Sequence, residues 1–323
     1  MTDNHTNEPI ATADPAEQVQ TVSTSETPAA PKKRRRRFGD RSDGRRLRTL
    51  PPISRVSPYI MKTRNTASNS ISDSVEISNM ERYIRRKRQE GLKNFGAMHV
   101  FLAAYIRTVS QRPAINRFIG GQKIFARNNI EIALTIKKDM QLNSPDTCVK
   151  AVFQPDATAE DVYETLNAII TREKKSSELD SSFDSTAKIL RFIPGLLLKF
   201  TVWVLTLLDY FGLLPKKLLA VSPFHGSLVI TSMGSLGIPP IYHHLYDFGN
   251  VPLFLAFGAK RRAYETTKDG TVEERRYIDY KVVTDERICD GFYYASALKY
   301  IKHLLKNPAV LSERPTEIIE DID

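Results

Sequence analysis

Apolar residues recur along this chain with two different periods, which predict strands in some segments and helices in others. Residues 277–283 alternate between apolar and charged side chains, as is typical of a half-buried strand. Further strands are predicted at 71–77, 130–136 and 149–153. The segment 113–138 as a whole predicts a strand pair, with its turn at Ile119-Gly120-Gly121-Gln122.

A period of 3.6 residues predicts three helices between these strands. Residues 96–111 carry apolar side chains at the spacing of a buried helix face, and residues 292–305 keep their lysines on the opposite side. Residues 158–173 predict an amphipathic helix, for which Thr158 or Asp156 would be the N-cap.

The segment 187–215 is the most apolar part of the chain. Its longest uncharged run, residues 200–208, is much shorter than the roughly 18 residues needed to cross a bilayer. Its few polar residues fall on one stripe of a helical projection and leave a wide apolar arc. We expect Pro194-Gly195 to divide the segment into two helices, which cover the sheet or pack between subunits. A helix lying at a membrane interface is the alternative.

Net charge is concentrated near the amino terminus. The chain has 323 residues and a formal net charge of +10, of which residues 31–48 contribute +8. Residues 1–45 have no apolar period and include the basic run Lys32 to Arg37, so we expect a disordered arm that is dispensable for folding. This arm could serve as a solubilising tail or bind an anionic membrane. Nucleic acid is an unlikely partner, since the rest of the chain offers no basic and aromatic platform.

The remaining chain is long enough for one large domain. We expect this domain to span residues 46–312 and to be followed by an acidic, flexible tail at 313–323. Cys148 and Cys289 are too few for a disulfide framework, and no secretory leader opens the chain. The expected location is therefore the cytoplasm, with peripheral attachment to a membrane as an alternative.

A charged turn separates the strand at 277–283 from the helix at 292–305, and it reads Asp285-Glu286-Arg287-Ile288-Cys289-Asp290-Gly291. Its spacing resembles the D-H-R-x-x-D-G signature of the chloramphenicol acetyltransferase superfamily, especially the acyltransferase component of 2-oxoacid dehydrogenase complexes. Glu286 stands where that signature has its catalytic histidine.

Three other segments resemble the same family, in the same order along the chain. Residues 112–139 are similar to its "hPelNa" segment and the strand after it. Residues 225–237 look like its "GTFTISNLGMFG" strand and turn, and residues 252–259 resemble a later strand. A lipoyl domain, which complete members of that component carry, is not expected within the short arm.

The resemblance implies an α/β fold of the chloramphenicol acetyltransferase type, a two-layer sandwich in which helices cover a mixed sheet. It also implies a homotrimer with CoA thioester as substrate and no covalently bound cofactor. The family's histidine takes a thiol proton, a hydroxyl binds the oxyanion, and an aspartate holds the loop. By position, Glu286 replaces the base, Thr231 keeps the hydroxyl, and Asp290, Gly291 and Arg287 structure the loop.

Glutamate is a weaker base than histidine in this position. A thiol of pKa near 8.5 transfers its proton to a free glutamate about 3 kcal/mol less favourably than to a free histidine. Burial near Ile288 and Cys289 would raise the pKa of the Glu286 carboxyl and reduce this handicap. A carboxylate would still repel the thiolate that it helps to form.

His243 and His244 are an alternative source of the base, although two ordinary loop or interface histidines would show the same pattern. No metal site is expected, because no further Cys or His stands at ligand spacing. Two functions remain open. One is an acyltransferase that moves an acyl group between CoA and an acceptor. The other is a non-catalytic trimer of the same fold that binds ligands, partners or a membrane.

Overall fold

Six strands form one mixed sheet. The computed structural model describes residues 35–137, 146–175 and 193–323. The sheet has the order β2-β9-β8-β7-β5-β6, in which β7 runs parallel to both of its neighbours and the other pairs are antiparallel. Its strands are β2 (Ser68–Glu76), β5 (Ile130–Lys137), β6 (Asp146–Phe153), β7 (Leu228–Ser232), β8 (Leu253–Thr266) and β9 (Val272–Asp285).

Helices pack on one face of this sheet, which we call the inner face. The helices described are α1 (Pro52–Ile60), α2 (Ser78–Gln89), α3 (Ala97–Gln111), α4 (Ala159–Lys175), α5 (Gly195–Tyr210), α6 (Lys216–Val221) and α7 (Gly291–Lys306). α3 is almost fully buried, and its Phe101 ring stacks on Phe257 of β8 with centroids 4.5 Å apart. The main core also takes side chains from α2, α4 and α7. The structure confirms the mixed α/β sandwich expected from the sequence.

The opposite, outer face of the sheet has a different cover. Phe254, Ala256 and Val283 form a small apolar cluster there with Leu245 from the irregular segment 238–250. Residues i and i+2 of a strand share a face, so the register assigns Thr231 and Lys281 to this same face. Loop, rather than helix, therefore covers the region that carries the candidate chemistry.

The strand pair expected over 113–138 is only partly correct. A hairpin is present, formed by β3 (Arg117–Gly120) and β4 (Lys123–Arg127), and its turn contains Gly121 and Gln122 at positive φ. However, β4 pairs with β1 (Gly44–Arg46) in a separate three-stranded sheet, and β5 alone joins the main sheet. A two-residue period cannot reveal which sheet a strand joins. At the start of α4, Thr158 is the N-cap: its Oγ1 accepts from the amide of Asp161, 3.2 Å away.

The folded part of the chain begins earlier than residue 46. Arg41 is buried, its Nε lies 2.9 Å from Asp43 Oδ1, and a second ion pair joins it to Asp209 of α5. Asp43 also accepts from Asn250 Nδ2 at 2.8 Å. Burial alone would raise the pKa of Asp209, but His225, whose Nε2 lies 3.5 Å from Asp209 Oδ2, and the charge of Arg41 lower that pKa to about 2. Residues 36–45 thus belong to the body, whereas residues 1–34 lie outside the described chain.

Residues 313–323, expected to be a flexible tail, contact the body. Arg117 Nε donates to Asp321 Oδ2 at 2.7 Å, and this ion pair is largely buried. The amide of Ile319 donates to Ser110 O at 2.8 Å, and the amide of Thr49 donates to Asp323 O at 2.9 Å. Each of these contacts joins residues 313–323 to a residue that is distant in sequence. Composition alone could not predict such contacts.

Two truncations should behave differently. Deleting residues 1–34 should leave the free energy of unfolding unchanged, because every contact described above lies beyond that point. Deleting residues 1–44 removes Arg41 and Asp43 and leaves Asp209 without its guanidinium, which should cost about 3 kcal/mol or more. Urea unfolding followed by circular dichroism measures both. Equal stability of the two truncated proteins would contradict the assignment of residues 36–45 to the body.

The apolar segment is helical but does not cover the sheet. α5 follows Pro194, as expected, and α6 comes after Pro215, while residues 187–192 lie outside the described chain. No residue of α5 is buried, so the predicted packing on the sheet is wrong for this helix. Among the described residues, no helix combines the length and apolar character needed to cross a membrane.

Candidate active site

The turn after β9 is organised by a buried aspartate. Asp285 is 1% exposed, and its carboxylate accepts from Arg287 Nε and Nη2, each at 2.7 Å. This pairing is bidentate, which aligns two N–H groups with two oxygens and fixes the orientation of both side chains. Sequence reasoning assigned no role to Asp285. Its only signal was its place as the first residue of the motif.

A second buried arginine reaches the same carboxylate. Arg64 Nε lies 3.7 Å from Asp285 Oδ2, and Arg64 Nη2 donates to Gly249 O at 2.7 Å. Burial lowers the pKa of Arg64 to about 10, although Asp285 opposes this change. Arg287 Nη1 donates to Met61 O at 2.8 Å. The two arginines thus connect the turn to the segment between α1 and β2 and to the loop over the outer face.

Glu286 is exposed in the single chain. Its amide donates to Ala67 O at 2.9 Å, while the residues on either side of it, Asp285 and Arg287, are both buried. Ile288 and Cys289 pack instead with Leu47 and its neighbours beside the small sheet. Burial raises the pKa of the Cys289 thiol to about 12. The apolar surroundings expected to bury Glu286 therefore belong to a different cluster.

Asp290 and Gly291 begin helix α7. Asp290 is the N-cap, and its Oδ1 accepts from the amide of Tyr293 at 2.8 Å. A carboxylate at this position satisfies one of the free N–H groups of the first turn and interacts favourably with the helix dipole. Asp290 therefore holds the helix start, whereas the ion pair of Asp285 with Arg287 holds the turn.

Thr231 and Glu286 are not brought together within one chain. In the register of the sheet, Thr231 lies opposite Ala256 of β8, and Ala256 lies opposite Lys281 of β9. Glu286 follows Lys281 by five residues, about 17 Å along an extended strand. A site that uses both side chains would have to take them from two copies of the chain.

His243 lies closer to Thr231. Its ring stacks on Phe254 with centroids 4.1 Å apart, and its Nδ1 lies 2.7 Å from the carbonyl of His244. Phe254 is two residues before Ala256, so it is a diagonal neighbour of Thr231 on the outer face, about 7 Å away. His243 is half-buried and His244 is exposed.

A polar cleft opens at the edge of the same face. It has a volume of about 450 Å³ and is lined by Ser72, Asp73, Ser74, Pro239, Pro240, Asp279 and Lys281. The ammonium of Lys281 lies 3.9 Å from the centre of the Tyr242 ring. Sequence reasoning assigned no role to Lys281, because a lysine on the polar side of an alternating strand is usually a solvated surface residue.

The donors on this face do not form a metal site. Within residues 35–137, 146–175 and 193–323, no three His, Cys, Asp or Glu side chains are grouped so that they could hold a metal ion.

Several solved structures are similar to this chain. A probable dihydrolipoamide acetyltransferase from Listeria monocytogenes 4b F2365 is 15% identical, with a TM-score of 0.52 over 84% of this chain and 99% of that chain. A chloramphenicol acetyltransferase is 14% identical, with a TM-score of 0.45 over 77% and 92% of the two chains. An X-domain from teicoplanin biosynthesis is 10% identical, with a TM-score of 0.42 over 79% and 50%.

No protein-family model matches the chain, and no curated protein matches it. At these identities a likeness shows the fold alone, and one fold can carry several activities. The chain therefore has the chloramphenicol acetyltransferase-like fold, which it shares at 15% identity with the probable dihydrolipoamide acetyltransferase.

Proposed function

We propose that this protein is a CoA-dependent acyltransferase that moves an acyl group between a CoA thioester and an acceptor. The observation that carries the proposal is the placement of Thr231, His243 and Lys281 on the outer face of the sheet, beside a cleft. This face therefore offers a hydroxyl, an imidazole and an ammonium group.

The hydroxyl and the ammonium group have distinct roles in acyl transfer. The Thr231 hydroxyl donates to the oxyanion that forms when a nucleophile attacks the thioester carbonyl. Lys281 lies across β8 from Thr231, and its ammonium group adds positive charge to the face on which that oxyanion develops. A general base accepts the proton of the acceptor.

We assign the base to Glu286 from a neighbouring copy in a homotrimer. Two observations support this assignment. Glu286 is exposed. It also lies about 17 Å along β9 from Lys281, the residue that is aligned with Thr231 in the same chain. The trimer is expected to form through β2, the exposed edge of the main sheet, and through the turn around Glu286. Packing against another copy of the chain would also bury Glu286, which is exposed in the single chain.

The direct test is transfer from a panel of acyl-CoAs to small thiol and amine acceptors, followed by release of free CoA thiol. Turnover that depends on both substrates supports the proposal. Thiol release at the rate of a protein-free blank, across acyl groups of different length, would contradict it.

Replacing Glu286 should separate its role from that of His243. Glu286→Gln keeps the shape of the side chain but removes the base, so kcat should fall at least 100-fold while the trimer persists. Glu286→His restores the family's base and should keep or raise kcat. Sedimentation checks the trimer, and His244→Gln serves as a control at an exposed neighbouring histidine. If Glu286→Gln retains wild-type kcat, the base is a different group, and His243→Gln is the next variant to measure.

Mixed trimers test whether the site is shared between copies. Inactive Thr231→Val and Glu286→Gln proteins, unfolded and refolded together, should recover activity, because some sites then receive both native side chains. Thr231→Val mixed with His243→Gln should not recover if His243 acts as the base from its own chain. No recovery in the first mixture would contradict a site shared between two copies.

A non-catalytic trimer is the second candidate. The buried ion pair of Asp285 with Arg287 favours it, because this pair would keep the turn in shape without any chemistry. An inert wild-type protein that gains activity on Glu286→His would establish this candidate.

A further inference from the structure

Helix α5 presents a continuous apolar seam to solvent. Its members recur at spacings of four and three residues, which places them on one side of the helix: Leu196, Phe200, Trp203, Leu207 and Tyr210. They are 86%, 58%, 58%, 42% and 47% exposed. The exposed surface continues past the helix at Phe211 and Leu213. Large exposed apolar patches are typical of surfaces that bind a partner or a membrane.

The end of α5 is held firmly against the body, so its exposure is not that of a frayed segment. Asp209 pairs with Arg41, and Tyr210 Oη donates to Gln122 Oε1 at 3.0 Å. The turn before β4 also requires glycine at residue 121, because a Cβ there would lie 2.2 Å from Tyr210 O. The C-terminal end of the seam is therefore fixed to the body of the protein.

The charges near the seam are almost all positive. From residue 195 to residue 224 the only acidic residue is Asp209, which the ion pair with Arg41 neutralises. Lys199, Lys216 and Lys217 in the same stretch are exposed.

Two exposed arginines near the start of the described chain, Arg36 and Arg37, add to this charge. Arg41 follows Arg37 by four residues, and the ion pair of Arg41 with Asp209 joins this part of the chain to α5. Arg37 Nη1 also lies 2.6 Å from Asp323 Oδ2. Phe38, directly after Arg37, is fully exposed.

We propose that α5, with the exposed side chains of Lys199, Lys216 and Lys217 and of Arg36 and Arg37, forms a docking surface for an anionic phospholipid bilayer. A helix with Leu, Phe and Trp on one side and Lys nearby lies in the plane of the interface, with its apolar side among the acyl chains. α5 is about 24 Å long, which is too short to cross the hydrocarbon core. Trp203 and Tyr210 are the residue types that settle at the level of the lipid headgroups.

The charge argues against a second copy of the chain as the occupant of the seam. Two copies meeting through α5 would bring together Lys199, Lys216 and Lys217 of both, while Asp209, the one acidic residue of that stretch, is already paired with Arg41. Lipid phosphates and serine carboxylates supply the opposite charge, and acyl chains cover apolar side chains without a fixed complementary shape.

Trp203, the only tryptophan in the chain, is a built-in probe for the test. The full chain is mixed with vesicles of phosphatidylcholine, with or without phosphatidylserine, and both Trp emission and flotation are measured. Emission should shift to shorter wavelength only with phosphatidylserine, and added salt should reverse the shift by screening. A lipid-bound quencher in the acyl region should reduce the emission.

Two sets of variants test the two halves of the surface. Each basic residue near an anionic surface contributes about fivefold to binding, so replacing Lys199, Lys216 and Lys217 with serine should weaken flotation about 100-fold at low salt. Phe200→Ser with Leu207→Ser should weaken it at least tenfold. Tyr264→Ser with Val272→Ser, at an equally exposed hairpin tip, is the matched control and should have no effect.

Three results would overturn the proposal. The first is no emission shift and no flotation with either lipid. The second is equal binding to neutral and anionic vesicles, which would contradict a contribution of the basic side chains to binding. The third is Trp emission that is already shifted without lipid and depends on protein concentration, which would identify a second copy as the occupant. Circular dichroism of each variant checks that its fold is retained.

Discussion

Asp285→Asn should destabilise the protein by about 3–5 kcal/mol, a large fraction of the stability of a single domain. The substitution keeps the size of the side chain but removes the negative charge. Arg287 and Arg64, 4% and 5% exposed, would then face each other without a counterion. Removing one partner of a buried pair leaves a charge with neither water nor an opposite charge near it, which is why the cost is high.

Urea unfolding measures this effect, and the same strand offers a control. Asp279 pairs with Arg261 on the surface of the sheet, with Arg261 Nε and Asp279 Oδ2 2.8 Å apart. Exposed pairs contribute at most about 1 kcal/mol, so Asp279→Asn should change stability little. If the two variants were equally stable, Asp285 would not organise the turn.

Thr231→Val should lower kcat about 100- to 1,000-fold while leaving the free energy of unfolding nearly unchanged. Valine has almost the same shape and favours strands, but it has no hydroxyl to donate to an oxyanion. Because ground-state binding of the thioester does not require this donor, KM should change much less than kcat.

Thr135→Val is a matched control, since Thr135 is an exposed strand threonine in β5. Its kcat should equal that of the wild type. A Thr231→Val protein with wild-type kcat would exclude an oxyanion role for this hydroxyl, whatever the identity of the base.

The spacing of apolar residues predicted much of the secondary structure. The buried side chains of a helix recur about every 3.6 residues, and those of a strand recur every second residue. The strand expected at 277–283 is the central part of β9, and the helix expected at 292–305 is α7. α1 was not predicted from the sequence. Its exposed apolar residues, such as Ile53 and Ile60, do not mark a buried face.

The site could be predicted only in part. Thr231 and the turn at 285–291 stood out through their resemblance to a family motif, and the fold assignment that followed is correct. The roles of Asp285 and Arg64 depend on a contact between residues 221 positions apart in sequence, which no local pattern encodes.

By itself, the sequence determined several of the strands, the position of the turn at 285–291, and the concentration of net positive charge before residue 48. Only the tertiary structure decided which of these features meet. It separated Thr231 from Glu286 in the single chain, placed His243 over Phe254, and joined Arg41 to the apolar helix through Asp209. The physical reason is that period and composition depend on neighbouring residues, whereas strand order and buried ion pairs depend on contacts that form only when distant segments pack together.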